Sequence, residues 1–170
     1  MIRSIVTYIL LFIVLLLVQV LICNHILLFG MAMPVIYIYC IIRMPMSVKT
    51  PLVLTLAFLF GATVDIFSDM AGVNALGCVA IAMLKRPVYN LYIGHDSDMA
   101  DLIPTVSNLG VFTYIKYMVT LVLIFMTVTY SLIYFSFINL SDLAVRILSS
   151  AGITAVLLLG IDSMIINRRD

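Results

Sequence analysis

The chain has 170 residues, 65% of them hydrophobic and only 10% charged, with a mean hydropathy of +1.26. Soluble domains are about half apolar and about a quarter charged, so this composition points to an integral membrane protein. A net charge of +1 leaves no basic field for nucleic acid, and all eight acidic residues are aspartate.

A membrane-crossing helix takes about 20 apolar residues, with a workable range of about 17–25. Six stretches qualify in chain order. The first is Ser4 to Cys23, preceded by Arg3. Its apolar run is too long for a signal-peptide core and no small-residue cleavage site follows, so it is expected to be an uncleaved span. Asn24-His25 make a short turn, and the second span runs from Ile26 to Ile42 with Pro34 as an expected kink. The third covers 51–67 and the fourth 71–91. Lys85 and Arg86 interrupt the fourth, and their long stems are expected to snorkel to the surface. The fifth covers 111–137 and the sixth 143–166. Between the fourth and fifth, residues 85–110 carry Pro87, Pro104 and the run His95-Asp96-Ser97-Asp98, which predicts a polar, irregular loop. No domain boundary is visible, so 1–170 is expected to form a single transmembrane domain.

The basic residues orient this layout. With the N-terminus inside, Arg3, Arg43, Lys49, Lys85, Arg86, Lys116, Arg168 and Arg169 are cytoplasmic, and Arg146 alone lies opposite. That asymmetry fits the positive-inside rule with both termini cytoplasmic.

Association within lipid depends on small residues at helix contacts. Ala71, Ala75, Cys78 and Ala82 trace one face of the fourth span. Ala57, Gly61 and Asp65 do so on the third, and Ala144, Ala151, Ala155 and Asp162 on the sixth. Asp65 and Asp162 should therefore point into the protein. An ion pair is expected between Asp65 or Asp69 and Arg146 at the outer end. At the inner end Asp162 lies near the expected level of Lys85, Arg86 and Lys116, or reaches water. Gln19 suggests an interhelical hydrogen bond, and Cys23, Cys40 and Cys78 read as packed free thiols.

No catalytic constellation emerges. His25 and His95, the only histidines, fall on opposite sides of the expected membrane. Asp65 and Asp69 stand four apart but lack the further oxygen or nitrogen ligands a cation needs. No cofactor, metal or enzymatic activity is expected.

The stretch from Gly61 to Gly77 reads G-A-T-V-D-I-F-S-D-M-A-G-V-N-A-L-G. It resembles the signature region of the rod shape-determining MreD family, in which a helix ending G-x-x-x-D meets a turn of small residues that opens the next helix. Gly61 and Asp65 match the first part; Gly72, Asn74, Ala75, Leu76 and Gly77 resemble the second. The turn Asp69-Met70-Ala71-Gly72 lacks the proline found in many members. The resemblance implies an all-α, six-helix membrane bundle similar to the S-component fold of energy-coupling-factor transporters. It also implies a non-enzymatic inner-membrane scaffold that binds MreC and, through it, connects to MreB, RodA and its penicillin-binding transpeptidase. The fold similarity supplies an alternative, a substrate-binding S-component of a vitamin transporter. The residues expected to matter are Gly61, Asp65, Asp69, Gly72, Asn74, Ala75 and Gly77. The glycines would allow close approach and chain reversal, and Asn74 would cap the fourth helix through its side-chain oxygen.

Overall fold

The computed structural model describes residues 2–23, 34–93, 103–134 and 140–166. Every regular element among them is helical: α1 (Ile2–Val18), α2 (Tyr39–Ile42), α3 (Thr50–Ser68), α4 (Val73–Ile93), α5 (Val106–Leu109), α6 (Val111–Ile133) and α7 (Leu140–Ile166). A π-helical turn over Gln19–Cys23 continues α1. Among the described residues, three helices are long and apolar enough to cross a membrane: α3, α6, and α7 over Ser141–Ser163.

Pro51 sits in the first turn of α3, where its missing N–H costs nothing. The buried face of α3 is Val53, Ala57, Gly61, Val64 and Asp65. Phe58, Leu59, Ile66 and Phe67 stand exposed on the rest of its surface. α3 packs on α4, α4 on α6, and α6 on α7. The core is densest along α6, where Tyr114, Tyr117, Met118, Leu121, Val122 and Phe125 are inaccessible to solvent. The small-residue seams hold at Ala57, Gly61, Ala75, Cys78, Ala82, Ala151 and Ala155, all buried, but Ala71 and Ala144 at the seam ends are exposed.

Two glycines set the helix spacing around α4. A Cβ on Gly61 would stand 2.4 Å from Ala75 Cα and 2.7 Å from the Asn74 carbonyl oxygen. A Cβ on Gly77 would stand 2.6 Å from the Phe125 ring. Backbone thus meets backbone between α3 and α4, and backbone meets an aromatic edge between α4 and α6.

The second expected span needs correction. Residues 26–33, with the Asn24-His25 turn, lie outside the described residues. From Pro34 to Ile38 the backbone is not helical, and only the single turn of α2 follows. Residues 34–44 are nonetheless all buried. Irregular backbone is tolerated in such surroundings only if other groups satisfy it, and here side chains from three helices do so. The Val35 N–H donates to Thr154 Oγ1 at 3.1 Å. The Gln19 amide accepts from the Ile36 N–H at 2.8 Å and donates to the Pro34 carbonyl at 3.0 Å. Lys85 Nζ donates to the carbonyls of Ile41 and Met44. Arg86 donates to those of Met46 and Val48, each at 3.0 Å. From Pro34 to Ile38 the backbone is irregular, and its polar groups bond outward to these side chains.

The loop expected over 85–110 is also shorter. α4 continues through Lys85, Arg86 and Pro87 to Ile93, with Val88 and Tyr89 buried. Lys85 does not snorkel: it is 2% exposed and turns inward to the α2 carbonyls. Residues 94–102, including His95 and its neighbours, lie outside the described residues. Gly110, at φ +77°, separates α5 from α6. α6 ends at Ile133; residues 135–137 of the expected fifth span also lie outside the described residues.

Gly61→Ala is expected to lower stability by about 1–3 kcal/mol, because its Cβ meets backbone that cannot rotate away. Gly152→Ala, with nothing within 4 Å of its Cβ position, should change stability by less than about 0.5 kcal/mol. Thermal unfolding of both variants in detergent micelles checks the contrast.

Candidate functional site

The reversal between α3 and α4 is built around one carboxylate. Asp65 is 5% exposed. Its Oδ1 accepts from the Asn74 backbone N–H and from Asn74 Nδ2, each at 3.0 Å, and its Oδ2 accepts from the Ala75 N–H at 2.9 Å. Asn74 and Ala75 are the second and third residues of α4, whose N–H groups have no partner within the helix. Asp65 therefore caps α4 from the last turns of α3, with its charge at the positive end of the α4 dipole.

The chain between them turns tightly. Asp69 takes a left-handed conformation (φ 53°, ψ 37°) that ends α3, and its N–H and that of Met70 both donate to the Asp65 carbonyl. Aspartate adopts this region more readily than most L residues. Gly72 follows at φ +80°, and its carbonyl accepts the first bond of α4, from the Leu76 N–H. No proline is needed to make the turn.

Gly61, Asp65, Asn74 and Ala75 thus meet in one joint, and Asp69 and Gly72 shape its outer bend. Gly77 lies a turn further on, against α6. The expected role of Asn74 is corrected. Its side-chain oxygen accepts from the Tyr37 hydroxyl at 2.9 Å, and its nitrogen serves Asp65. It links the joint to the irregular segment.

The expected Asp65–Arg146 and Asp69–Arg146 pairs are not formed. Backbone amides satisfy Asp65, Asp69 is exposed, and Arg146 stacks over the Tyr134 ring at 5.6 Å. Arg146 does share the joint's end of the molecule. With Tyr37, Ser68, Met70 and Asn74 it lines a cavity of about 220 Å3. An open groove of about 450 Å3 is lined by Phe58, Ala62, Ile66, Ala71, Gly72 and Ala75, with Asp65, Asp69 and Met70 also in its wall.

Asp162 does point inward, with no solvent exposure, but its partner is Arg43 and not Lys85, Arg86 or Lys116. Arg43 Nη1 stands 3.3 Å from Asp162 Oδ1 and donates to the Tyr39 hydroxyl at 2.5 Å. The Tyr39 hydroxyl donates to the same carboxylate oxygen at 2.6 Å. This is the one ion pair among the described residues. Lys85 instead donates to the carbonyls of Ile41 and Met44 at the C-terminal end of α2, as basic side chains commonly do at a helix C-terminus.

Sequence reasoning missed Tyr37, Tyr39, Arg43, Lys85 and Thr154 as structural partners. One signal was present: Arg43 directly follows an apolar run broken by Pro34, which marks a segment in need of outside support.

No protein-family model, curated protein or solved structure matches the chain. The class defined by its fold and joint is, among the described residues, an all-helical protein with three helices long and apolar enough to cross a membrane, built around a carboxylate-capped helical hairpin.

Asp65→Ala should cost about 1–3 kcal/mol by orphaning two buried N–H groups, with faster amide hydrogen exchange at Asn74 and Ala75. Arg146→Gln should leave hairpin stability within about 0.5 kcal/mol, an outcome an Asp65–Arg146 pair would not allow. Arg43→Met alone should destabilise by about 3–5 kcal/mol by stranding the Asp162 charge. Pairing it with Asp162→Leu should recover most of the loss in the same unfolding measurement.

Proposed function

We propose that the chain is a non-enzymatic scaffold of the bacterial cell-elongation machinery. It is a six-span inner-membrane bundle with both termini cytoplasmic. It binds the membrane helix of MreC and, through it, engages MreB, RodA and the penicillin-binding transpeptidase. The support is the MreD-like stretch 61–77 together with the groove that its outer side forms. Ala62, Ala71, Gly72 and Ala75 give that groove a floor of small side chains between Phe58 and Ile66. Small residues of this kind let a second helix approach closely in lipid. Ile66 is 80% exposed beside them, an apolar group for a partner helix to cover.

The vitamin-carrier alternative calls for a cavity large enough for a whole vitamin. Pockets for drug-sized ligands span roughly 300–1,000 Å3, and the cavity beside the joint is about 220 Å3, which favours the scaffold.

Single cysteines at Ala62, Ile66 and Ala71 should crosslink to the membrane helix of co-expressed MreC, whereas one at the exposed Phe112 of α6 should not. Crosslinks confined to Phe112, or none at any of the four, would count against MreC docking here.

A further inference from the structure

We propose that the cavity between the joint and α6 is a binding site for a small anionic amphiphile, with a carboxylate or phosphate held by Arg146. This goes beyond the scaffold assignment and does not rest on it, since the cavity and the groove share only Met70 in their linings.

The first observation is the cavity's chemistry. Its volume is about 220 Å3, and among the described residues Arg146 is the only charged one in its lining. No carboxylate among the described residues lies within ion-pair distance of that guanidinium. Val35, Met126 and Ile133 give the wall an apolar part. An occupant with one anionic end and a short apolar body matches both parts, and guanidinium is suited to bidentate contact with carboxylate or phosphate.

The second observation is independent and concerns Thr129. The hydroxyls of Thr55, Thr63, Thr120 and Thr127 each donate to the carbonyl four residues back in their own helix. Thr129 does not. It is 7% exposed, lines the cavity, and its Oγ1 has no hydrogen-bond partner among the described residues. A buried hydroxyl left unpaired costs free energy that a bound polar group would recover. The bare backbone of Gly77 accommodates this hydroxyl, since a Cβ there would stand 2.8 Å from Thr129 Oγ1.

The anion has two possible sources: the headgroup of a membrane lipid or a water-borne acid. The test uses the purified full-length protein. Octanoate and its neutral counterpart octanol are titrated in detergent, with thermal stabilisation as the readout. Native mass spectrometry then follows release from nanodiscs containing phosphatidylglycerol or phosphatidylcholine. Octanoate should bind saturably and more tightly than octanol, or phosphatidylglycerol should be retained in preference to phosphatidylcholine. Arg146→Gln should weaken the preferred probe about tenfold or more, and Thr129→Val roughly fivefold. Lys116→Gln, a basic residue outside the cavity, should leave binding unchanged. Retention of the lipid alone identifies a headgroup, and binding of octanoate alone a water-borne acid; either sustains the site. Should Arg146→Gln fail to fold, Thr129→Val and the octanoate–octanol comparison decide. Equal binding of octanoate and octanol without lipid preference, binding by neither anionic probe, or binding unaffected by both cavity substitutions overturns the proposal.

Discussion

The carboxylate of Asp65 does the work of a missing helical turn. The opening amides of α4 have no carbonyls behind them, and a chain this apolar has little water to offer them. An acid from the preceding helix reaches across and supplies both oxygens. The positive end of α4 offsets the charge, so no basic residue is required. This bond places the two helices, and the bare backbone of Gly61 lets them touch. Asn74 then carries the connection through Tyr37 into the segment after Pro34. Groove and cavity both inherit their shape from this junction.

The buried charges follow three different solutions. Asp65 rests on backbone donors, Lys85 on backbone acceptors, and Arg43 with Asp162 on each other and a tyrosine. An isolated charge in such surroundings would be very costly. The last two solutions also tie together parts of the chain far apart in sequence. Arg43 and Asp162 are 119 residues apart, and Lys85 reaches back more than 40 residues to Ile41.

Much of the helical layout was legible. Long apolar runs announced α3, α6 and α7, and the four-residue spacing of Ala57, Gly61 and Asp65 identified a buried face correctly. The partners were not legible, for a physical reason. A sequence displays charged side chains, so Asp65 invited a search for a cation and Arg146 stood ready. The positive end of a helix is a property of its backbone and has no letter of its own. Likewise Pro34 read as a kink within a helix, because the groups that support the irregular backbone after it, Gln19, Thr154 and, further on, Lys85, gather only in three dimensions. The fourth span was legible through Lys85, Arg86 and Pro87 to about residue 91, but the polar composition of 85–110 also suggested a loop that overlapped its end, where Val88 and Tyr89 are in fact buried in α4.

The largely irregular segment between Pro34 and Val48, buried through Met44, also constrains biogenesis. Its struts come from Gln19 before it and from Lys85, Arg86 and Thr154 well after it. A ribosome releases this stretch before most of the groups that satisfy it exist. It must wait, solvated or sheltered by the insertion machinery, until α4 and α7 have been synthesised. Its final path is therefore settled late, when the last helix closes over it.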